Sequence, residues 1–266
     1  MDLQGTIVHD SFERRELFLY LPPSYFAGAR RFPVVYVHDR GEVFDPAAGR
    51  ALEELERMFA AGVPEELLLV GIGTDDRVDD YSPWYHPSLT GRYHDFGGKG
   101  GAYIDFIADR LKPYIDGKYR TLPEAKHTGL IGESLGGLVS LYAAYLRPET
   151  FGKIGATSSS LWYPGFIDYI RAHPLPQPRP DIYIDVGSLE GSRKTNIQKE
   201  MVPRTKEAYA ILSQNSAPGN RLTFVLDEGA DHSLECFVRR FPGALGWLFA
   251  PETEPEPQAQ SQPQHV

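Results

Sequence analysis

Apolar residues occur along most of the chain in short runs that are separated by polar and glycine-rich segments. Runs of strand length cover residues 32–38, 67–73, 127–131, 180–187 and 221–226. Longer segments between them carry apolar residues at helical spacing, for example 101–116 and 135–146. This alternation predicts an α/β fold with a mostly parallel central sheet flanked by helices. A hairpin is expected before the first of these strands, over residues 5–21.

The apolar pattern continues to about residue 250 and then stops. Residues 251–266 are rich in Pro, Glu and Gln and contain almost no apolar side chains, which predicts a disordered tail. The chain of 266 residues exceeds the usual length of one domain, but α/β sheets of this size commonly form one domain. We therefore expect a single domain over residues 1–250.

The most informative segment is 132–136, which has the pattern G-x-S-x-G with Ser134 at its centre. It follows a predicted strand and precedes a predicted helix, which is the context of a nucleophile elbow. The flanking glycines allow the close backbone approach that a serine at the tip of such a turn requires. The alternative is an ordinary glycine-rich turn with a solvent-facing serine. We favour Ser134 as a nucleophile.

A serine nucleophile needs a base, and at such an elbow the chain order is serine, then acid, then histidine. Three histidines follow the elbow: His173, His232 and His265. His173 lies in a proline-rich stretch and His265 lies in the polar tail. His232 follows the last predicted strand and its turn, and a helix is predicted from about 233 to 249. This position makes His232 the predicted general base.

The orienting acid has two candidates, Glu190 and Asp185. The carboxylate should emerge from the loop beyond the strand predicted over 180–187, which favours Glu190. Asp185 lies inside that strand and could support the site from below. Either carboxylate would fix the tautomer of the base and stabilise the imidazolium that forms during catalysis.

An oxyanion hole needs two N–H donors, and the residue after the nucleophile, Leu135, supplies the first. The second is expected from the loop after the strand at 32–38, where Gly41 would let the backbone approach the substrate closely. Sequence alone leaves Arg40, Gly41 and Glu42 open as the donor. His38, at the end of that strand, suits a hydrogen bond that braces the loop.

Two long segments without a clear pattern, 74–100 and 161–180, are expected to shape the substrate pocket, because loops of this length are unusual unless they are functional. Arg77, Tyr81 and Trp162 are the candidate substrate-binding residues within them. Simple packing is the alternative for the aromatic residues. For Arg77 the alternative is a salt-bridge network with the aspartates around it, whose spacing does not match a calcium-binding loop.

Several segments together resemble the putative esterase family, which includes esterase D, microbial feruloyl esterase domains and enterochelin-type siderophore esterases. These segments are Leu-Tyr-Leu-Pro-Pro-Ser-Tyr at 19–25, Pro-Val-Val-Tyr-Val-His-Asp at 33–39, Asp-Arg at 76–77, Asp-Tyr-Ser-Pro at 80–83, Leu-Lys-Pro-Tyr-Ile at 111–115, Lys-Tyr-Arg-Thr at 118–121, Gly-x-x-Glu at 187–190 and Gly-x-Asp-His at 229–232. The resemblance covers residues from about 12 to 249. It implies an α/β-hydrolase fold and hydrolysis of carboxylic esters. Ser134 and His232 occupy matching positions, and Glu190 falls where such proteins commonly have their acid.

Composition excludes several other classes of protein. A net charge of −9 and a pI near 5.4 argue against nucleic-acid binding, which needs a basic face. No apolar run approaches the roughly 18 residues of a membrane helix, and the first residues lack the features of a signal peptide. A single cysteine, Cys236, excludes an internal disulfide, so we expect a cytoplasmic protein without membrane partners.

The sequence thus predicts a serine esterase that acts on a small-molecule ester and needs no metal or organic cofactor. The ester could be a siderophore-type lactone, an aromatic ester or an acetyl ester. The same residues could instead transfer the acyl group to an acceptor other than water, which would make the protein an acyltransferase. A catalytically silent hydrolase scaffold used for binding is the third interpretation. Sequence gives no indication of the oligomeric state.

Overall fold

The computed structural model of the chain describes residues 3–91, 93–214 and 221–251. The strands are β1 (Thr6–Phe12), β2 (Arg15–Leu21), β3 (Val34–Val37), β4 (Leu68–Ile72), β5 (Tyr85–His86), β6 (Phe96–Gly97), β7 (Thr128–Glu133), β8 (Lys153–Thr157), β9 (Asp181–Gly187) and β10 (Leu222–Asp227). The α-helices are α1 (Ala51–Ala60), α2 (Arg77–Asp80), α3 (Gly100–Phe106), α4 (Lys112–Lys118), α5 (Leu135–Leu146), α6 (Phe166–Ala172), α7 (Met201–Gln214) and α8 (Leu234–Leu248). A π-helical segment, Ile107–Leu111, joins α3 to α4.

Eight of the strands form one sheet in the order β1-β2-β4-β3-β7-β8-β9-β10. The hairpin β1–β2 and the pair β2–β4 are antiparallel, and every pair from β4 to β10 is parallel. The parallel strands are followed by helices or long connections, because a parallel neighbour needs a crossover. The predicted α/β fold with a mostly parallel sheet flanked by helices is confirmed.

Side chains of successive strand residues enter two apolar cores, one on each face of the sheet. In β3, Val34 and Tyr36 belong to one core, whereas Val35 and Val37 belong to the other. Helices α3 to α7 cover the first face, and α1 and α8 cover the second. Because both faces are buried, the central strands consist almost entirely of apolar residues, which is why they are visible in the sequence.

The two long segments contain more regular structure than the sequence pattern indicates. Residues 74–100 include the short helix α2 and the two-stranded ribbon β5–β6, and 161–180 include helix α6. Phe166 and Ile170 of α6 are fully buried, so this part of the second segment packs into the core. The predicted tail lies, after Pro251, outside the described residues. No helix in the described parts of the chain is both long and apolar enough to cross a membrane.

Candidate active site

Polar side chains meet where β7, β8, β9 and β10 end. The register pairs Glu133 with Thr157 and Thr157 with Asp185, so the ends of β7 and β8 lie side by side and β9 runs beside them. Ser134 follows β7 directly, residues 158–160 follow β8, Glu190 lies just beyond β9, and His232 follows β10. The parallel sheet therefore brings side chains that are distant in sequence to one edge.

Ser134 occupies a sharp turn between β7 and α5. Its backbone angles are φ 60° and ψ −120°, which are unfavourable for a residue with a Cβ atom. Its N–H donates to the carbonyl oxygens of Thr157 and Ser158, both at 3.2 Å, and Leu138 N–H donates to its carbonyl oxygen. These bonds hold the strained turn in place and leave the hydroxyl beyond the end of the sheet.

The glycines of the elbow are required by close packing. A Cβ atom on Gly132 would lie 2.6 Å from Cδ2 of His38 and 3.0 Å from the backbone of Gly136. On Gly137 it would overlap Oγ of Ser159 and lie 2.8 Å from the carbonyl oxygen of Thr157. Side chains at these two positions would therefore force the turn apart.

The Ser134 hydroxyl lies 3.2 Å from the hydroxyl of Ser160, and either group can be the donor. Ser160 is fully buried, and its N–H donates to the carbonyl oxygen of Ser134 at 2.9 Å. Among the described residues, no hydrogen bond joins Ser134 to His232. Ser160 is thus the partner of the Ser134 hydroxyl in this structure.

His232 and Glu190 form a short hydrogen bond. The Nδ1–H group of His232 donates to Oε2 of Glu190 at 2.7 Å. The other carboxylate oxygen, Oε1, accepts from Gly187 N–H at 2.7 Å and from the Ser158 hydroxyl at 2.5 Å. Burial opposes ionisation of Glu190, but the hydrogen bonds from His232, Ser158 and Gly187 outweigh it and lower its pKa.

Asp185, the alternative acid, does not bind the histidine. It is completely buried in β9, and its Oδ1 accepts from Ser158 N–H at 3.0 Å. Nη1 of Arg240 lies 3.5 Å from the same oxygen. Burial raises the pKa of Asp185 to about 6, although the Arg240 charge opposes this shift. The structure therefore puts Glu190, and not Asp185, against His232, because only Glu190 stands beyond the end of the strand.

The loop after β3 contains three successive residues with positive φ: Asp39 at 52°, Arg40 at 59° and Gly41 at 72°. Gly41 N–H, predicted as an oxyanion donor, donates to the carbonyl oxygen of His38 at 2.9 Å and is thus already used by a tight turn. In the described part of the chain, the N–H groups of Arg40 and Leu135 have no hydrogen-bond acceptor. These two amides are free to bind a ligand.

Asp39 is held from two sides. Its N–H donates to the hydroxyl of Tyr81 at 3.0 Å, and its carboxylate accepts from Nε and Nη2 of Arg77 at 2.9 and 3.1 Å. Tyr81, predicted as a substrate-binding residue, is fully buried beneath the loop and is not among the residues that line the cavity beside Ser134. Arg77 lines the cavity beside Ser134, but Asp39 already neutralises its charge.

His38 lies under the elbow as a neutral, structural residue. It is fully buried between the hydroxyl groups of Tyr103, 2.9 Å from Nδ1, and Ser140, 3.0 Å from Nε2. Burial lowers the pKa of His38 to about 4. Both ring nitrogens are thus hydrogen-bonded to helices α3 and α5, and not to the loop after β3 that this histidine was expected to brace.

Ser134 opens into a cavity of about 450 Å³. Its lining comes from the elbow, from both long segments and from the region between β9 and α7: Ser134, Leu135, Arg77, Val78, Ser88, Leu89, Thr90, Tyr93, Phe96, Trp162, Lys194 and Gln198. Trp162, predicted as a substrate-binding residue, is therefore part of the wall. The cavity has aromatic walls and one exposed lysine, and its volume suits a small organic molecule.

Three residues around the site were not identified from sequence: Ser158, Ser160 and Arg240. The run of three serines at 158–160, between the elbow and the acid, was a signal that could have drawn attention to the first two. Arg240 gave no signal, because arginines on the polar side of a helix are common.

A second polar cluster lies at the side of the cavity, where Asp76, Asp79 and His94 offer three ligand atoms within 4.8 Å of one another. These groups already have partners, since His94 Nε2 contacts Asp76 at 2.7 Å and Lys99 contacts Asp79 at 2.7 Å. Asp76 also accepts from the N–H of Val78 as the cap of α2. These contacts make the cluster a salt-bridge network, but Arg77 is not one of its partners within the described residues, because its guanidinium binds Asp39 instead.

Comparison with known proteins agrees with this architecture. The family model described as "Putative esterase" matches residues 12–248. The uncharacterized protein YbbA of Bacillus subtilis is 35% identical over 247 residues, which cover 93% of this chain and 97% of YbbA. The iron(III) salmochelin esterase of Escherichia coli is 34% identical over 119 residues, which cover 39% of this chain and 29% of that enzyme.

Solved structures show the same fold. An IroE-like serine hydrolase from Shewanella oneidensis superimposes with a TM-score of 0.75 at 20% identity, covering 92% of this chain and 80% of that one. The siderophore hydrolase EstA from Aspergillus nidulans gives a TM-score of 0.69 at 20% identity and covers 92% of each chain. The predicted α/β-hydrolase fold is confirmed by these likenesses.

Proposed function

The chain belongs to the putative esterase family and is a carboxylic ester hydrolase, and we propose that it works through an acyl-enzyme on Ser134. The observation that carries this proposal is the 2.7 Å hydrogen bond between Glu190 and Nδ1 of His232 at the same sheet edge as the elbow. With Nδ1 bound to the carboxylate, Nε2 is the nitrogen left to accept a proton.

In the proposed reaction, the Ser134 hydroxyl turns from Ser160 to His232 as the ester binds. His232 Nε2 accepts the hydroxyl proton while Oγ attacks the ester carbonyl, and Glu190 stabilises the imidazolium. The protonated His232 then gives its proton to the leaving alcohol, and the acyl group stays on Ser134. Water, deprotonated by His232, then attacks the acyl carbon; the bond between the acyl group and Ser134 Oγ breaks, and His232 returns the proton to Oγ as the carboxylic acid leaves.

The negative charge of each tetrahedral intermediate needs two donors. We assign them to the N–H groups of Leu135 and Arg40, which have no acceptor within the described residues. Leu135 begins α5, so the positive end of the helix dipole adds to its hydrogen bond. Donors fixed in advance cost no reorganisation when the charge develops.

For the substrate we propose a small ester with an aromatic or otherwise planar part. Phe96, Tyr93 and Trp162 line the cavity, and Lys194 adds a positive charge. Siderophore esters fit this description, and the Escherichia coli relative is named as an iron(III) salmochelin esterase. Siderophore-type lactones, feruloyl esters and acetyl esters are therefore the substrates to compare.

The test is hydrolysis of chromogenic esters of increasing acyl length by the wild type and by Ser134→Ala. We expect turnover that Ser134→Ala abolishes, and labelling of the wild type by a fluorophosphonate at Ser134. Ser213→Ala, an exposed serine far along the chain on α7, is the control and should keep full activity. Wild-type turnover that survives in Ser134→Ala would refute the assignment of the nucleophile.

The acceptor of the acyl group is tested in the same assay. With water as acceptor, addition of a small alcohol changes the products only slightly, and the free acid stays dominant. Formation of the new ester as the main product would instead identify an acyltransferase.

A further inference from the structure

Helix α8 buries a positive charge directly behind the pair formed by Glu190 and His232. Arg240 is only 8% exposed, and its Nη2 donates to the Ser158 hydroxyl at 2.6 Å and to Glu190 Oε1 at 3.3 Å. The Ser158 hydroxyl in turn donates to the same Glu190 oxygen at 2.5 Å. The Arg240 guanidinium thus contacts the Glu190 carboxylate both directly and through the Ser158 hydroxyl.

Arg240 also faces two further carboxylates. Its Nη1 lies 3.5 Å from Asp185 Oδ1, and its Nε lies 3.7 Å from Asp227 Oδ2. Asp227 is shared with Arg239, which binds it at 2.6 Å from the exposed side of α8. Within the described residues, Arg240 is the one cation paired with Asp185. The single buried guanidinium of Arg240 therefore contacts two fully buried carboxyl groups, those of Asp185 and Glu190.

The other titratable groups around Arg240 lie farther away or on the outside. Burial raises the pKa of the Tyr183 phenol on β9, and the nearby Arg240 charge opposes this rise. His232 lies on the other side of Glu190. Arg50, which precedes α1, and Glu54 of α1 share a surface groove with Glu235 and Arg239 of α8. The electrostatic surroundings of Glu190 are thus set mainly by His232, Asp185 and Arg240.

We propose that Arg240 is a positioning residue: its buried charge keeps Glu190 ionised and directed at His232 although a second carboxyl group, Asp185, lies beside it. This inference rests on the proposed function of Ser134, His232 and Glu190. Arg240 is not among the described residues that line the cavity or bind Ser134, so its effect on the reaction must pass through Glu190 and the groups around it.

The physical reason is the competition between two buried carboxyl groups. Two such groups without a cation would hold one proton between them up to a raised pH. Burial raises the pKa of Asp185 and the Arg240 charge opposes this rise, whereas the hydrogen bonds from His232, Ser158 and Gly187 lower the pKa of Glu190 against burial. Without the Arg240 charge, the hydrogen-bonded pair of Glu190 and His232 should stay protonated up to a higher pH.

The first test is the pH profile of kcat/KM on a chromogenic ester. Arg240→Gln should move the acidic limb up by roughly one pH unit, because a cation beside the pair is lost. Asp185→Asn should move it in the opposite direction, because a negative charge is lost. Arg240→Lys should stay close to the wild type. An acidic limb that stays in place in both Arg240→Gln and Asp185→Asn would overturn the proposal.

Arg239→Gln is the matched control. It removes the adjacent arginine of the same helix, which is exposed and bound to Asp227 rather than to Glu190. Its acidic limb should coincide with that of the wild type. A shift in Arg239→Gln equal to that in Arg240→Gln would mean that a general loss of positive charge, and not the buried contact, is responsible.

A second measurement does not depend on activity. The difference in Tm between Arg240→Gln and the wild type should widen by roughly 3 °C from pH 5 to pH 8. The reason is that Asp185 and Glu190 ionise over this range, and in the variant no arginine lies between them to offset their charges. Asp185→Asn in the Arg240→Gln background should remove this widening. A pH-independent difference would show that Arg240 only fills space. If instead esters are not cleaved through Ser134, the proposed function fails whatever this Tm series shows.

Discussion

Each oxygen of the Glu190 carboxylate binds its own set of donors. Oε2 accepts from His232, whereas Oε1 accepts from Gly187 N–H, Ser158 and Arg240. A carboxylate held by four donors cannot rotate, so the imidazole that binds Oε2 is fixed as well. Asp185 is equally buried but turns its Oδ1 to Ser158 N–H.

This difference predicts unequal effects of two isosteric substitutions. At pH 8, Glu190→Gln should lower kcat by on the order of 10³-fold, because an amide neither stabilises the imidazolium nor enforces the tautomer. Asp185→Asn should lower kcat by less than about 10-fold at this pH, because it does not touch His232. Steady-state kinetics of both variants provide the test, and equal losses would contradict the assignment of Glu190.

Glu133, the residue before the nucleophile, predicts a pH dependence of stability. Burial, together with the nearby charge of Asp39, raises the pKa of Glu133 to about 8 from an ordinary value of 4.5. The unfolded chain loses this proton more readily than the folded protein does. The stabilisation that comes from Glu133 is therefore complete below pH 4.5 and is lost as the pH rises to about 8. Glu133→Gln should remove that loss, which is on the order of a few kcal/mol.

Urea unfolding at pH 5 and pH 8.5 measures this effect. The free energy of unfolding should fall less between the two pH values in Glu133→Gln than in the wild type. Glu149→Gln, which changes an exposed carboxylate, should leave the wild-type difference unaltered. Identical pH dependence in Glu133→Gln and the wild type would mean that Glu133 is charged in the folded protein.

At the scale of elements, the loop after β3 depends on helix α2 and the residue that follows it. Arg77 of α2 binds the Asp39 carboxylate, and Tyr81 accepts the Asp39 N–H. Both contacts hold two successive residues with side chains, Asp39 and Arg40, at positive φ. The position proposed for the Arg40 amide therefore depends on a tyrosine that is fully buried beneath the loop.

Tyr81→Phe should accordingly lower kcat about 10-fold with little change in KM, since the loop would hold its amide less well in the transition state. Its stability cost should be about 1 kcal/mol, the value of one lost hydrogen bond. Tyr119→Phe is the control, because it loses a comparable hydrogen bond, to Asp10, outside the site. Equal kcat values in the two variants would contradict a role of Tyr81 in the oxyanion loop.

Secondary-structure elements were easiest to predict from sequence where the protein buries them on all sides. Strands β3, β4, β7 and β9 are apolar runs because both faces of the sheet are covered, and the elbow carries its own glycine signature. The two-residue strands β5 and β6 were missed, because a pair this short has no periodicity. The turn that Gly41 N–H closes was not visible either, because sequence does not show which backbone groups are already hydrogen-bonded.

The site follows the same rule. Ser134, Glu190 and His232 each follow a strand, so the order of elements alone was enough to suggest that they lie at one edge of the sheet. Arg240 is different, because its contact with Glu190 depends on how α8 crosses the sheet. Contacts that arise from the packing of whole elements leave no local pattern in the sequence.

At the scale of the whole molecule, the two apolar cores share one sheet. The same strands supply both cores, because their side chains alternate between the faces, as in β3. Neither core can therefore lose its strands while the other keeps them. We expect residues 1–250 to behave as one domain that unfolds cooperatively, although chains of this length often populate intermediates.

The three tryptophans allow this to be tested, because they lie on different faces. Trp84 and Trp162 pack in the core under α3 to α7, and Trp247 packs in the core under α1 and α8. In Trp247→Phe, tryptophan fluorescence comes only from the first face. In the double variant Trp84→Phe and Trp162→Phe, it comes only from the second face. Within each variant, urea midpoints from fluorescence and from far-UV circular dichroism should coincide. A fluorescence transition that precedes the loss of secondary structure in one variant would show that its face unfolds separately, and the chain would then contain two cooperative units.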